Sequence, residues 1–179
     1  MAKTLKPRRG SRKRGNDALF KRADQYSDAV KLRAAFRLFL AAAKNGDQSS
    51  QLNVGYCYDT GKGVRQNTPA ALYWYKRAYR RGDSAAAANV GTVWRDKRKP
   101  ERALYWFRRA IELGDEGAYL EIAKLYLHSW YEPGKAIRYL ERVCRSQTES
   151  EATIEDAQRL LKFTRAKIQQ LRTKPTIAS

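Results

Sequence analysis

The residues that could perform nucleophilic or metal-assisted chemistry are few: Cys57, Cys144 and the single histidine, His128. A zinc site needs Cys or His ligands at short paired spacings, and neither Cys-x-x-Cys nor His-Glu-x-x-His occurs. A Cys–His pair is arithmetically possible, but no neighbouring motif marks either cysteine as an activated nucleophile. Gly61 and Gly63 follow a predicted helix and not a strand, so we interpret them as a turn and not as a phosphate loop. The sequence therefore predicts no catalytic residue, no metal site and no cofactor.

Non-covalent recognition of an acidic partner is the chemistry that the residue pattern favours. Tyr73, Arg77 and Arg80 recur at helical spacing, and Tyr105 has two arginines three and four residues after it. Tyr and Arg are enriched among the residues that dominate binding energy at interfaces. The alternative is that these cations only solvate a helix surface, their aliphatic stems covering apolar area. The predicted partner-binding residues are Tyr73, Lys76, Arg77, Arg80, Tyr105, Arg108 and Arg109.

Internal repeats determine how these side chains are positioned. Three segments align without gaps from Ala35, Ala71 and Ala103, and each ends in Gly-Asp, with the glycine 11 residues after the alanine. A fourth, degenerate copy begins at Ala136 and lacks the Gly-Asp pair. Self-similarity at a period of 20–50 residues is typical of helical or other repeat arrays.

Each copy is predicted to form two helices. Trp74, Tyr75 and Ala78 lie on one apolar face of the first helix. Gly82 ends this helix, because glycine tolerates the left-handed conformation, and Asp83 caps the next one. One pair of helices cannot bury its own apolar face, so neighbouring pairs must stack. The same reasoning places Cys57 and Cys144 at core positions of their copies.

The motif resembles that of the Sel-one-like repeat family, a branch of the tetratricopeptide superfamily. The similarity rests on the spacing Ala-x-x-Trp-Tyr-x-x-Ala-x-x-x-Gly-Asp and on the loop between Gly55 and Val64, and it covers roughly Val30 to Val143. It implies an all-α, right-handed α-α solenoid that serves as an adaptor. It also implies that the first helix of each pair lines a concave groove.

Tyr73 and Tyr105 depart from the family's pattern, which usually has a polar residue at this position. A second departure is the segment Arg95–Pro100, which replaces the glycine-containing loop and is shorter by four residues. The altered loop affects the expected curvature of the solenoid and not the stacking of its helices. The two departures also mark the second repeat as the place where aromatic and cationic residues concentrate.

The segments flanking the array complete the predicted organisation. We expect a disordered basic tail over 1–15, the repeat array over 16–149, a C-terminal capping helix over 150–172 and a flexible tail over 173–179. Asn16 is a candidate N-cap for the first helix. The C-terminal segment is amphipathic, with Leu160, Leu161 and Leu171 on its apolar face. Its alternative role is that of a partner-binding helix.

The charge balance limits the classes of partner. The chain has 37 Lys and Arg against 18 Asp and Glu, a formal net charge of +19. Such an excess attracts acidic proteins, nucleic acids and anionic surfaces. We therefore predict a scaffold that binds an acidic protein or peptide. One alternative is a nucleic-acid-associated protein that uses the tail and the cations of the second repeat, and another is a neutralising partner of an acidic toxin or enzyme.

The compartment follows from segments that the sequence lacks. It contains neither an apolar run of membrane-spanning length nor the apolar stretch of a signal peptide. Two cysteines do not make a disulfide framework. We therefore expect a cytoplasmic protein, or a nuclear one if the source is eukaryotic.

Overall fold

The computed structural model describes residues 32–173, and this part of the chain is helical, with no β-strand in it. The predicted basic tail, the helix from Asn16 and the last six residues lie outside the described residues. Eight helices are described: α1 (Leu32–Lys44), α2 (Gln48–Thr60), α3 (Thr68–Tyr79), α4 (Ser84–Asp96), α5 (Pro100–Glu112), α6 (Ala118–His128), α7 (Pro133–Cys144) and α8 (Glu151–Thr173).

The chain divides into two compact units, with the boundary between Val93 and Trp94. The first unit contains α1, α2, α3 and most of α4. The second contains the last residues of α4 and the helices α5 to α8.

In the first unit the helices end and begin where the sequence predicts. Gly46 and Gly82 have φ angles of +94° and +90°, a region that favours glycine. The following aspartates cap the next helices: Ser50 N donates to Asp47 Oδ1 at 2.7 Å, and Ala86 N donates to Asp83 Oδ1 at 2.8 Å. These bonds satisfy N–H groups that the first turn of a helix leaves unpaired.

The core of the first unit forms where α1 and α3 pack against α2. Its members are Ala35, Phe36, Phe39, Ala43, Val54, Cys57 and Trp74. Gly55 lets α3 approach closely, because a Cβ atom there would lie 2.5 Å from the Tyr75 ring. Tyr75 is fully buried and donates a long hydrogen bond, 3.4 Å, to Asp59 Oδ2. Small residues on α2 therefore make room for a large aromatic residue on α3.

The core of the second unit lies between α6, α7 and α8. Leu120, Ala123, Leu140, Val143 and Ala157 form one buried cluster. Ion pairs connect the helices at the surface. Arg95 pairs with Glu121, Glu121 pairs with Lys124 at 3.1 Å, and Lys124 pairs with Asp156 at 3.6 Å.

Helix α8 has nearly the bounds of the predicted C-terminal helix, but one residue that the sequence places on its apolar face is exposed. Ala157 and Thr164 are buried, and Leu160 and Leu161 pack against the α6–α7 core. Leu171, which we placed on the apolar face, is 66 % exposed. The helix therefore packs along its first half and just into its second, up to about Thr164. Its role as a cap of the array stays a prediction.

Candidate functional site

Tyr73 is presented to solvent by α3, because the opposite face of this helix carries Trp74, Tyr75 and Ala78 into the core. The Tyr73 side chain is 56 % exposed and lies edge-on to the Trp74 ring, with the ring centroids 5.2 Å apart. Arg77 Nη1 donates to the Tyr73 hydroxyl at 3.1 Å. The tyrosine is therefore exposed but held in place by a ring and a guanidinium group.

The cations of α3 surround this tyrosine. The guanidinium of Arg77 lies 5.5 Å from the centroid of the Trp74 ring, within the range of a cation–π contact. Lys76 is half-buried, and Arg80 is exposed at the C-cap of the helix. Cations near a helix C-terminus are stabilised by the helix dipole. We call Tyr73, Lys76, Arg77 and Arg80 the α3 set.

The second unit repeats this arrangement on α5. Tyr105 is 52 % exposed and lies edge-on to Trp106 at 5.5 Å between centroids. The guanidinium of Arg109 lies 5.2 Å from the Tyr105 ring centroid, and Arg108 is exposed. Hydrogen bonds to Tyr105 and Glu112 raise the pKa of Arg109 further above its ordinary value, so it is charged at any physiological pH. We call Tyr105, Arg108 and Arg109 the α5 set.

The two sets differ in how their charges are balanced. Arg109 Nη1 pairs with Glu112 Oε2 at 2.7 Å. Among the described residues no carboxylate lies within ion-pair distance of Arg77 or Arg80. The charges of Arg77 and Arg80 are therefore not neutralised by a described carboxylate, whereas that of Arg109 is. The common concave groove that we expected for both sets stays a prediction.

The residues with potential for covalent chemistry show no sign of activation. Cys57 is buried, and burial raises the pKa of its thiol, which opposes formation of the reactive thiolate. Cys144, expected in the core, is the last residue of α7 and is only partly buried, and burial also raises the pKa of its thiol. His128 is exposed at the end of α6. Within residues 32–173 no group of His, Cys, Asp or Glu could hold a metal ion.

A third cluster of aromatic and cationic residues lies between α6 and α7, and the sequence analysis missed it. Tyr119, Tyr126, Lys135, Arg138, Tyr139 and Arg142 line a cleft of about 330 Å³. We call these six residues the α6–α7 cleft. A signal for it was present, because Arg142 lies in α7 where Arg77 and Arg109 lie in the preceding copies. The repeat pattern is weak in the fourth copy, which lacks the Gly-Asp pair, so its side chains were not among the predicted site residues.

Comparison with known families identifies the repeat. The Sel1 repeat model matches residues 17–47, 48–83 and 84–115, which together exceed half of the sequence. The chain belongs to the Sel1 repeat family. Each matched Sel1 repeat ends at the aspartate of a Gly-Asp pair, at Asp47, Asp83 and Asp115. The family predicted from the residue spacing is thus confirmed.

Similar proteins support the same fold. A Sel1 repeat protein from Oxalobacter formigenes is 25 % identical and superposes with a TM-score of 0.69, over 90 % of this chain and 66 % of that one. The protective antigen c5321 of uropathogenic Escherichia coli, which displays an SLR fold, is 19 % identical with a TM-score of 0.65, over 85 % of this chain and 38 % of that one. The predicted all-α helical repeat solenoid is confirmed.

A curated relative matches over a shorter segment. The DAP3-binding cell death enhancer 1 of Rattus norvegicus is 33 % identical over 60 residues, which are 34 % of this chain and 12 % of that protein. This chain therefore spans only a small part of that relative's length and 66 % of the Oxalobacter protein.

Sel1 repeat proteins are generally non-catalytic scaffolds for protein interactions. The prediction of a binding protein agrees with this general role. None of the helices described here is long and apolar enough to cross a membrane.

Proposed function

We propose that this chain is an adaptor that binds an acidic protein or peptide through the α3 set and the α5 set. One observation carries the proposal: two successive repeats expose a tyrosine at the same position and hold an arginine against it. Tyrosine offers a large contact area at low entropic cost, and guanidinium groups bind carboxylates through two parallel hydrogen bonds. The net charge of +19 favours encounter with an acidic surface.

The nucleic-acid alternative has less support among the described residues. It relied on the cations between Arg95 and Lys99 and on the N-terminal tail. Arg95 is engaged by Asp96 at 3.0 Å and by Glu121, which leaves Lys97, Arg98 and Lys99 as the exposed cations of that loop. Nucleic acid is therefore an outcome that the experiment must distinguish, and not the function that we propose.

The test is an affinity purification with mass spectrometry, carried out with and without nuclease. The variant carries Arg77→Glu and Arg108→Glu. Its matched control carries Arg65→Glu and Lys97→Glu, two exposed cations outside both sets, one in each unit, with the same change in net charge. We expect the captured partners to be acidic proteins that remain bound after nuclease treatment. The Arg77 and Arg108 substitutions should reduce the captured amount at least tenfold, and the control substitutions should leave it unchanged.

Two results would reject the proposal. The first is that the Arg77 and Arg108 substitutions leave every partner bound. The second is that all captured proteins disappear after nuclease treatment, since they were then held through nucleic acid.

A further inference from the structure

Helix α7 and its C-cap residue carry a stripe of four cations that belongs to neither of the two sets. Lys135, Arg138, Arg142 and Arg145 are separated by three, four and three residues, so they share one face of the helix. All four are exposed. With a rise of 1.5 Å per residue, the stripe is about 15 Å long.

Aromatic rings support this stripe from below. The Tyr139 ring lies between Tyr126, stacked at 5.6 Å between centroids, and Tyr119 at 6.2 Å. The guanidinium of Arg142 lies 4.9 Å from the Tyr119 centroid, and Lys135 Nζ lies 5.4 Å from the Tyr126 centroid. Cation–π contacts of this kind restrict the side chains before a ligand arrives. Two of the four cations, Lys135 and Arg142, are therefore held against aromatic rings.

Two shallow cavities meet at the same pair of arginines. The α6–α7 cleft has a volume of about 330 Å³, and a neighbouring cavity of about 400 Å³ lies towards the end of α7. Arg138 and Arg142 line both of them. A ligand that follows α7 from one cavity into the other would pass both guanidinium groups.

The acidic residues near the stripe already have ion-pair or hydrogen-bond partners within the protein. Glu132 pairs with Lys135 at 2.6 Å, and Glu141 pairs with Arg165 at 2.6 Å. Glu116 accepts hydrogen bonds from Ser146 Oγ and Thr148 Oγ1, at 2.5 Å and 3.0 Å.

The arginines of the stripe have no such partners. Among the described residues no carboxylate lies within ion-pair distance of Arg138, Arg142 or Arg145. The excess positive charge of the stripe therefore remains available to a ligand.

We propose that the α6–α7 cleft is a docking site for an extended acidic peptide segment, whose alternate carboxylates pair with Arg138 and Arg142. Four residues of helix separate these arginines by about 6 Å. Alternate side chains of an extended peptide are about 6.5–7 Å apart on one edge, which is a close match. The inference rests on the proposed function, since it assigns a further surface for an acidic partner.

The aromatic rings of the cleft favour a peptide over a single-stranded nucleic acid. Bases bind such surfaces by stacking on open ring faces. Tyr126 is only 8 % exposed, and its neighbours Trp130 and Tyr139 pack against it at 5.0 Å and 5.6 Å between centroids. The rings here support the cations and offer no platform for bases.

The experiment measures binding of a fluorescein-labelled ten-residue peptide of alternating Glu and Leu, by fluorescence anisotropy at fixed salt. The variant is Arg138→Gln with Arg142→Gln. The control is Arg159→Gln with Lys162→Gln on the exposed surface of α8, with the same loss of charge in the same unit. We expect at least a tenfold weaker Kd for the variant and less than a twofold change for the control. Circular dichroism verifies that both proteins are folded.

A second arm needs no protein variant. A probe in which every Glu is replaced by Gln should not bind the unmodified chain, and a uridine oligonucleotide of equal charge should bind more weakly than the acidic peptide. The inference is overturned if variant and control weaken binding equally, since overall charge then explains it. It is also overturned if the oligonucleotide binds more tightly and loses that binding in the Arg138 and Arg142 variant.

The design separates this inference from the proposed function. If the Arg77 and Arg108 substitutions release the captured partners while the Arg138 and Arg142 variant binds the peptide normally, the cleft is rejected and the adaptor function stands. If the peptide depends on Arg138 and Arg142 while the Arg77 and Arg108 substitutions release nothing, the α3 and α5 sets are rejected and the cleft stands.

Discussion

At the scale of single residues, the close packing of α3 against α2 depends on a glycine, which has no side chain, at position 55. Gly55 faces the ring of Tyr75, which is fully buried. In the second unit the corresponding positions hold Ala123 and Leu140, which are both buried in one cluster. An aromatic ring thus requires glycine on the facing helix, and a smaller aliphatic residue permits alanine.

Gly55→Ala should destabilise the protein. Overpacking a core costs about 1–3 kcal/mol, and the better helix propensity of alanine offsets up to about 1 kcal/mol. We expect a net decrease of about 1 kcal/mol in the free energy of unfolding, measured by urea denaturation. The double variant with Gly55→Ala and Tyr75→Leu should lose less stability than the sum of the losses of the two single variants. Additive losses would contradict the packing explanation.

Ser50→Ala should have the opposite effect. The Ser50 hydroxyl is fully buried and has no hydrogen-bond partner among the described residues. The corresponding residues of the next two copies, Ala86 and Ala118, are buried alanines. An unsatisfied buried hydroxyl costs about 1–3 kcal/mol, so we expect the midpoint of urea unfolding to rise by the equivalent of about 1 kcal/mol. The exposed Ser49→Ala control should stay within about 0.5 kcal/mol of the parent.

At the scale of elements, a short segment after α7 is anchored to the turn that precedes α6. Ser146 and Thr148 both donate to the carboxylate of Glu116. Ser146 Oγ also accepts from the backbone N–H groups of Thr148 and Glu149. The connection that leads into α8 is therefore fixed by one carboxylate and one hydroxyl.

This anchor gives the second unit an acid-sensitive contribution to stability. Hydrogen bonds from Ser146, then Thr148, lower the pKa of Glu116 below its ordinary value of 4.5. A lowered folded pKa means that the stabilisation is present above pH of about 4.5 and is lost as the pH falls through the folded pKa. Glu116→Gln should reduce stability at neutral pH and flatten the loss of thermal stability between about pH 5 and pH 3. Parallel acid profiles for both proteins would contradict this role.

Most elements could be predicted from the sequence because their ends depend on local chemistry. Gly82 and Asp83 end one helix and cap the next through contacts within a few residues. The exposure of Tyr73 and Tyr105 also followed from helical spacing. The α6–α7 cleft could not be predicted in this way, because it depends on which rings of two different helices meet. The exposure of Leu171 depends likewise on where α8 stops contacting its neighbours.

At the scale of the whole molecule, the net charge of +19 acts at long range, whereas the tyrosines and arginines act in contact. Salt screens the first effect strongly, with a Debye length of about 10 Å at 0.1 M. The excess charge should therefore control how fast a partner arrives, and the contact residues how long it stays.

Binding kinetics of a captured acidic partner should show this division. Raising NaCl from about 0.05 M to about 0.3 M should lower the association rate constant at least tenfold and change the dissociation rate constant by less than threefold. Tyr73→Ala should act on dissociation instead. Surface plasmon resonance over a salt series measures both. An association rate independent of salt would exclude electrostatic steering.

The placement of the two cysteines has a practical consequence. The sequence contains one thiol in each compact unit, Cys57 in the core of the first and Cys144 beside the core of the second. A shielded thiol reacts with an alkylating reagent only when the surrounding helices open. Mass spectrometry of the alkylated Cys57 peptide thus reports local opening of the first unit, and the partly buried Cys144 provides a more accessible thiol for comparison in the same sample.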